Sequence, residues 1–91
     1  MSTATLLVRH TVEDFGAWRA AYDSVEPLRQ QYGCTAAEVM VDPQNKQDVF
    51  VIHRFPSLEN AQGFAGSEEL RTAMQRAGVV GPPRIEIAVE A

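Results

Sequence analysis

Residues 34–55, CTAAEVMVDPQNKQDVFVIHRF, decide how the rest of the chain is read. Two runs rich in apolar and β-branched residues, 34–41 and 47–55, flank DPQNK, whose Asp, Pro and Asn suit a tight turn. Runs joined so closely pair as an antiparallel hairpin, because a parallel pair needs a crossover of about a dozen residues or more. The middle of the chain is therefore sheet without an intervening helix, and each flank must bring its own helix and strand.

On the N-terminal side, TATLLVRHTV (3–12) reads as a strand with both faces largely apolar, so something must cover each of them. From Asp14 the period changes. Phe15, Trp18, Tyr22, Val25, Leu28 and Tyr32 recur at three and four residues, as an amphipathic helix requires, with Asp14 as N-cap and Gly33 as stop. Pro27 removes a backbone donor inside this run, which predicts a kink or break near Asp23–Pro27. On the C-terminal side, Ser57 caps SLENAQGFA and Ser67 caps SEELRTAMQRA, which Gly78 ends, with Gly63 and Gly66 marking a weak point between the two helices. An extended VVGPP then leads to a last strand, RIEIAVE, in which Ile85, Ile87 and Val89 alternate with Arg84, Glu86, Ala88 and Glu90.

The order strand, helix, strand, strand, helix, strand over a single domain, 1–91, is the ferredoxin-like βαββαβ arrangement of the α+β class: an antiparallel sheet with helices on one face. The other face is left open. With apolar residues on both sides of the first and third strands, its cheapest cover is a second copy of the same sheet about a two-fold axis, which predicts a homodimer.

Composition narrows the function classes. The formal net charge is -4, and the eight Lys and Arg residues stand without a basic run, which argues against nucleic acid as a partner. One cysteine, Cys34, and two distant histidines give no metal-ligand spacing, so no metal is expected. No stretch approaches the ~20 apolar residues of a membrane span, and the first residues lack the basic start of a secretory signal, so neither a membrane association nor export is expected and a cytoplasmic location is.

DFGAWRAAYD at the first helix, RFPSLENAQGF after the third strand and ELRTAMQRAGVVGPPRIEI at the end together resemble the dimeric α+β barrel superfamily, and within it the small antibiotic-biosynthesis-monooxygenase-like and cyclase-like proteins. The resemblance implies a homodimer whose sheets form a barrel, with a small-molecule pocket between helices and sheet in each subunit. It also implies chemistry without metal or organic cofactor on a small aromatic or polyketide-like molecule. No Asn stands in the first strand, and the single Trp lies on the first helix, a departure from the cofactor-free oxygenase pattern. The cyclase branch, which uses strand histidines and a tyrosine, fits the residues better.

Strand parity then nominates a site. Ala4, Leu6, Val8 and His10 share one face of the first strand, and Val49, Val51, His53 and Phe55 share one face of the third. If those faces meet the helices, His53 and His10 join Tyr22 as catalytic candidates, and Trp18, Phe55 and Phe64 supply an apolar wall for substrate. Arg54 then looks toward the partner sheet, where Glu38 or Glu86 of a second copy would pair with it. An imidazole with an ordinary pKa of about 6.5 accepts a proton from an activated methylene near neutral pH, and a tyrosine donates to the enolate that forms. Cyclisation or isomerisation is the first reading, cofactor-independent monooxygenation the second, and a non-catalytic binding or structural dimer the third. In the last case the histidines would simply bond backbone carbonyls at strand ends.

Overall fold

In the computed structural model, which describes residues 3–91, β1 (Ala4–Val12) runs through the interior of a four-stranded antiparallel sheet. It pairs on one side with β3 (Asn45–Phe55) and on the other with β4 (Val79–Val89), while β2 (Ala36–Asp42) closes the hairpin with β3, giving the order β2-β3-β1-β4. The hairpin turn is held by Asp42, whose Oδ1 accepts from the Gln44 amide at 2.9 Å. This is the ferredoxin-like fold expected from the sequence, with each helical position split in two: α1 (Phe15–Ser24) with α2 (Glu26–Gln31), and α3 (Leu58–Ala65) with α4 (Glu68–Arg76).

The helices begin where the caps stand. Asp14, Ser57 and Ser67 each accept a hydrogen bond from the backbone amide three residues on, satisfying one of the donors that a helix start leaves open. The break foreseen near Pro27 is real: α1 ends at Ser24 and Pro27 lies in the first turn of α2, where its missing N–H costs nothing. Gly66 takes the C-cap of α3 and separates it from α4.

Two expectations are corrected. VVGPP belongs to β4, which starts at Val79 and pairs with Val12 and Thr11; the ladder shifts register between Arg9 and Thr11, and Gly81 sits at φ +73°, so an irregularity absorbs the prolines and the strand continues past them. Nor is β1 apolar on both sides. Its inward residues Ala4, Leu6, Val8, His10 and Val12 are buried, whereas Thr5, Leu7, Arg9 and Thr11 form a mixed outer row.

The core lies between the sheet and the helices, built from Ala4, Leu6, Val8, Val12, Trp18, Val49, Val51, Phe55, Ala61 and Phe64. Among the described residues no helix is long and apolar enough to cross a membrane.

Candidate functional site

The inward parity of β1 and β3 carries both imidazoles into the helix layer. His10 is 7% exposed and His53 4%, and both border a cavity of about 50 Å³ whose walls otherwise come from apolar side chains and the Tyr22 ring. Trp18, Tyr22 and Phe64 line it with them, and α4 contributes Leu70, Ala73, Met74 and Ala77. Phe55, the remaining wall candidate, is fully buried behind His53, with ring centroids 6.4 Å apart, and does not line the cavity. Arg54 points away to the open face, where it donates to Thr5 Oγ1 at 3.2 Å within its own chain.

The sheet register separates the histidines. His53 stands opposite Leu6, four residues before His10, which puts about 14 Å of strand between them. Aromatic rings fill that interval in a row. His10 meets Trp18 edge-on at 5.5 Å, Trp18 stacks on Tyr22 at 4.9 Å, and the Tyr22 hydroxyl shares a 2.7 Å hydrogen bond with His53 Nε2. Phe64 closes the His53 end, edge-on at 5.6 Å.

Three polar atoms of the site are left over. His10 Nδ1, His10 Nε2 and His53 Nδ1 are buried with no hydrogen-bond partner among the described residues. The backbone-carbonyl bond expected of an incidental strand-end histidine is therefore missing from both. A buried donor or acceptor without a partner costs about 1–3 kcal/mol, a cost a packed core avoids and a ligand removes.

Burial also fixes the charge of the site. It lowers the pKa of His10, and it lowers that of His53 to about 4, with the Arg29 cation adding to the effect. Both rings are therefore neutral at physiological pH, each with one nitrogen able to accept a proton. Burial raises the pKa of Tyr22, against an opposing pull from Arg29, and leaves the phenol protonated. Cys34 is raised by burial too and donates to the Ala36 carbonyl, so it is no nucleophile.

The cavity has room for roughly three or four waters as it stands, well below the ~300 Å³ of a small-molecule site. Its wall is thin on the side between α1 and α4, where Ala21, Val25 and Ala73 line both the cavity and an outer groove of about 570 Å³. α4 has no buried residue, so it is the cover most easily displaced.

The sequence reading missed Arg29 and the α4 wall. Arg29 is 7% exposed and lies seven residues after Tyr22, on the stripe that continues from Val25 to Tyr32; a cation on an apolar stripe was the available signal. The α4 residues gave none, since its sequence reads as a solvated, charged helix.

Solved structures share this architecture end to end. A Bordetella bronchiseptica protein that bears the antibiotic biosynthesis monooxygenase name superimposes with a TM-score of 0.83 at 12% identity, covering 100% of this chain and 99% of that one. SnoaB, a cofactor-independent oxygenase from Streptomyces nogalater, gives 0.77 at 9% identity over 97% and 92%. A protein of unknown function from Nitrosomonas europaea gives 0.76 at 20% identity over 99% and 90%. At these identities the likeness establishes the fold alone. Comparison with curated protein sequences gives no match. The sequence profile described as antibiotic biosynthesis monooxygenase matches residues 1–76, which take in every strand and helix up to the end of α4. The chain belongs to the antibiotic biosynthesis monooxygenase family.

Proposed function

We propose that the chain is a cofactor-independent monooxygenase that takes a proton from an activated carbon of a flat phenolic or polyketide-like molecule and lets the resulting carbanion react with dioxygen. The observation that carries this reading is the set of three unpartnered imidazole nitrogens on two histidines that border an otherwise apolar cavity. Such a lining asks for an apolar body with oxygens at separated points, which a fused-ring phenolic provides. Family membership, with an oxygenase of the same fold, favours dioxygen as the second reactant.

His10 is the better base, because both its nitrogens are free, whereas His53 is engaged by Tyr22 and its pKa of about 4 makes it a weak proton acceptor. In the tautomer where His53 Nε2–H donates to the Tyr22 oxygen, the Tyr22 O–H is free to donate to the enolate or phenolate oxygen that gains charge. His10 takes the C–H proton, the carbanion passes electrons to dioxygen, and a carbon–oxygen bond forms to give a hydroperoxide. Loss of water across its O–O and remaining C–H bonds leaves a carbonyl, so a methylene and one dioxygen become a carbonyl and one water. Trp18 and Phe64 hold the ring system flat.

The test is oxygen consumption with an anthrone. One dioxygen per substrate, with a carbonyl product and a loss of roughly 10²- to 10⁴-fold in His10→Ala, is the expected result. Anaerobic turnover of an open-chain polyketide-like molecule to a ring-closed product would instead support the cyclase reading, which two imidazoles bordering one cavity favour. No turnover, together with no ligand-induced rise in Tm, would leave a structural dimer.

Pairing with a second copy through the open sheet face is part of this proposal. Leu7, Ile52, Phe50 and Met40 form its apolar centre, with Arg9 and Arg84 in one cross-strand row and Glu38 and Glu86 in the next. A two-fold axis can set the arginines of one copy against the glutamates of the other, and Arg54 lies at the edge of the same surface.

A further inference from the structure

Arg29 is the costliest residue in the helix layer to explain by stability alone. It is 7% exposed, and among the described residues no carboxylate lies within ion-pair distance of it. Desolvating a guanidinium without an anion is expensive, and a plain apolar side chain would hold the α1–α2 corner as well.

Its contacts converge on one residue. The guanidinium carbon stands 4.0 Å from the centroid of the Tyr22 ring, and Nη1 donates to the Tyr22 carbonyl at 2.9 Å, at the end of α1. Trp18 stacks on the same ring. The phenol so held has its oxygen 2.7 Å from His53 Nε2.

We propose that Arg29 is a positioning residue for the Tyr22–His53 pair: by holding the Tyr22 ring through its face and its backbone carbonyl, and by placing a fixed positive charge behind it, Arg29 keeps the hydroxyl on a neutral His53. The proposal rests on the reading of that pair as the oxyanion-stabilising unit, but its electrostatic content is independent of turnover. Arg29 lowers the pKa of both members. The other charged or titratable groups acting on Tyr22 are Arg19, whose guanidinium carbon is 5.5 Å from the ring, Asp23 and Cys34; those facing His53 are Tyr22 and Arg29. His10 is shifted by burial alone and serves as an internal control.

The experiment is a proton-NMR titration of both imidazoles in the wild type, Arg29→Gln and Arg29→Lys. Gln and Lys can each donate to the Tyr22 carbonyl, but only Lys retains the charge. The expected result is a rise of His53 on the order of one pH unit in Arg29→Gln, little change in Arg29→Lys, and an unmoved His10 in both. If Gln does not fold, Arg29→Met supplies the uncharged arm, without the bond to the Tyr22 carbonyl. A His53 midpoint that is equal in the Gln (or Met) and Lys variants, or unchanged in both, overturns the proposal and leaves Arg29 as a helix-end donor. A shifted His53 in a protein that turns over no anthrone and gains no Tm from one keeps this proposal and sinks the oxygenase.

Discussion

At the scale of single residues, the Tyr22 hydroxyl is where structure and chemistry meet, and Tyr22→Phe separates them. Removing it strips His53 Nε2 of its partner, and with Nδ1 already bare the ring is left wholly unbonded among the described residues. A loss of about 1–3 kcal/mol in urea denaturation is expected, with a fall in turnover of about 10²-fold if the phenol serves a developing oxyanion. Protonation gives a second prediction. His53 binds a proton in the unfolded chain near pH 6.5 but in the native state only near pH 4, so between those values the unfolded state holds more protons. Stability is therefore fully present above about pH 6.5 and is lost as pH falls toward 4, at up to about 1.4 kcal/mol per pH unit for this one ring, with His10 acting in the same direction. Urea midpoints at pH 7 and pH 5 check it, and His53→Gln should flatten the difference.

At the scale of elements, α1 and α4 play unequal parts. α1 is fixed by the Asp14 cap and by buried Trp18, whereas α4 has a capping serine, two acidic residues in its first turn and no buried side chain. Its hold on the protein is the half-buried Leu70–Ala77 face over the cavity. Amides of α4 are expected to exchange with deuterium faster than those of α1, and to slow when a flat phenolic ligand is bound; equal rates in the two helices would remove α4 as the movable cover. Substituting Ala73 by Phe, in the thin wall shared by cavity and groove, should raise KM for a fused-ring substrate while changing the folding midpoint little, because that wall faces open space on one side.

At the scale of the whole molecule, the sheet has one face covered by four helices and the other bare. Leu7 and Met40 on that bare face are 37% and 45% exposed, and Phe50 and Ile52 are half-buried between them. A 91-residue chain buries only about 60–65% of its unfolded surface, so covering this face would add stability that the isolated fold lacks. Sedimentation at micromolar concentration is expected to give a dimer, and Ile52→Asp, which puts a charge at the centre of the patch, a monomer. A wild-type monomer would rule the pairing out.

The sequence by itself determined the topology and which residues share a face of each strand. The two apolar runs and turn of 34–55, the period-two alternation of 84–90, a period of three to four from Phe15 to Tyr32 and the three caps are local signals, each set by the geometry of one element, and together they admit essentially one arrangement. Strand parity likewise grouped His10 with Ala4, Leu6 and Val8, and His53 with Val49, Val51 and Phe55, while the β1–β3 register set both groups on the helix side of the sheet. Only the tertiary structure decided what those residues meet. That Tyr22 reaches His53, that Phe55 stands behind the wall, and that Arg29 is buried without an anion all depend on where α1 and α2 lie across the sheet. That placement is set by packing between residues tens of positions apart, and no local pattern encodes it. The bulged start of β4 was hidden for the same reason: VVGPP has the composition of a loop, and its pairing with β1 overrides what Gly81 and the prolines would do alone.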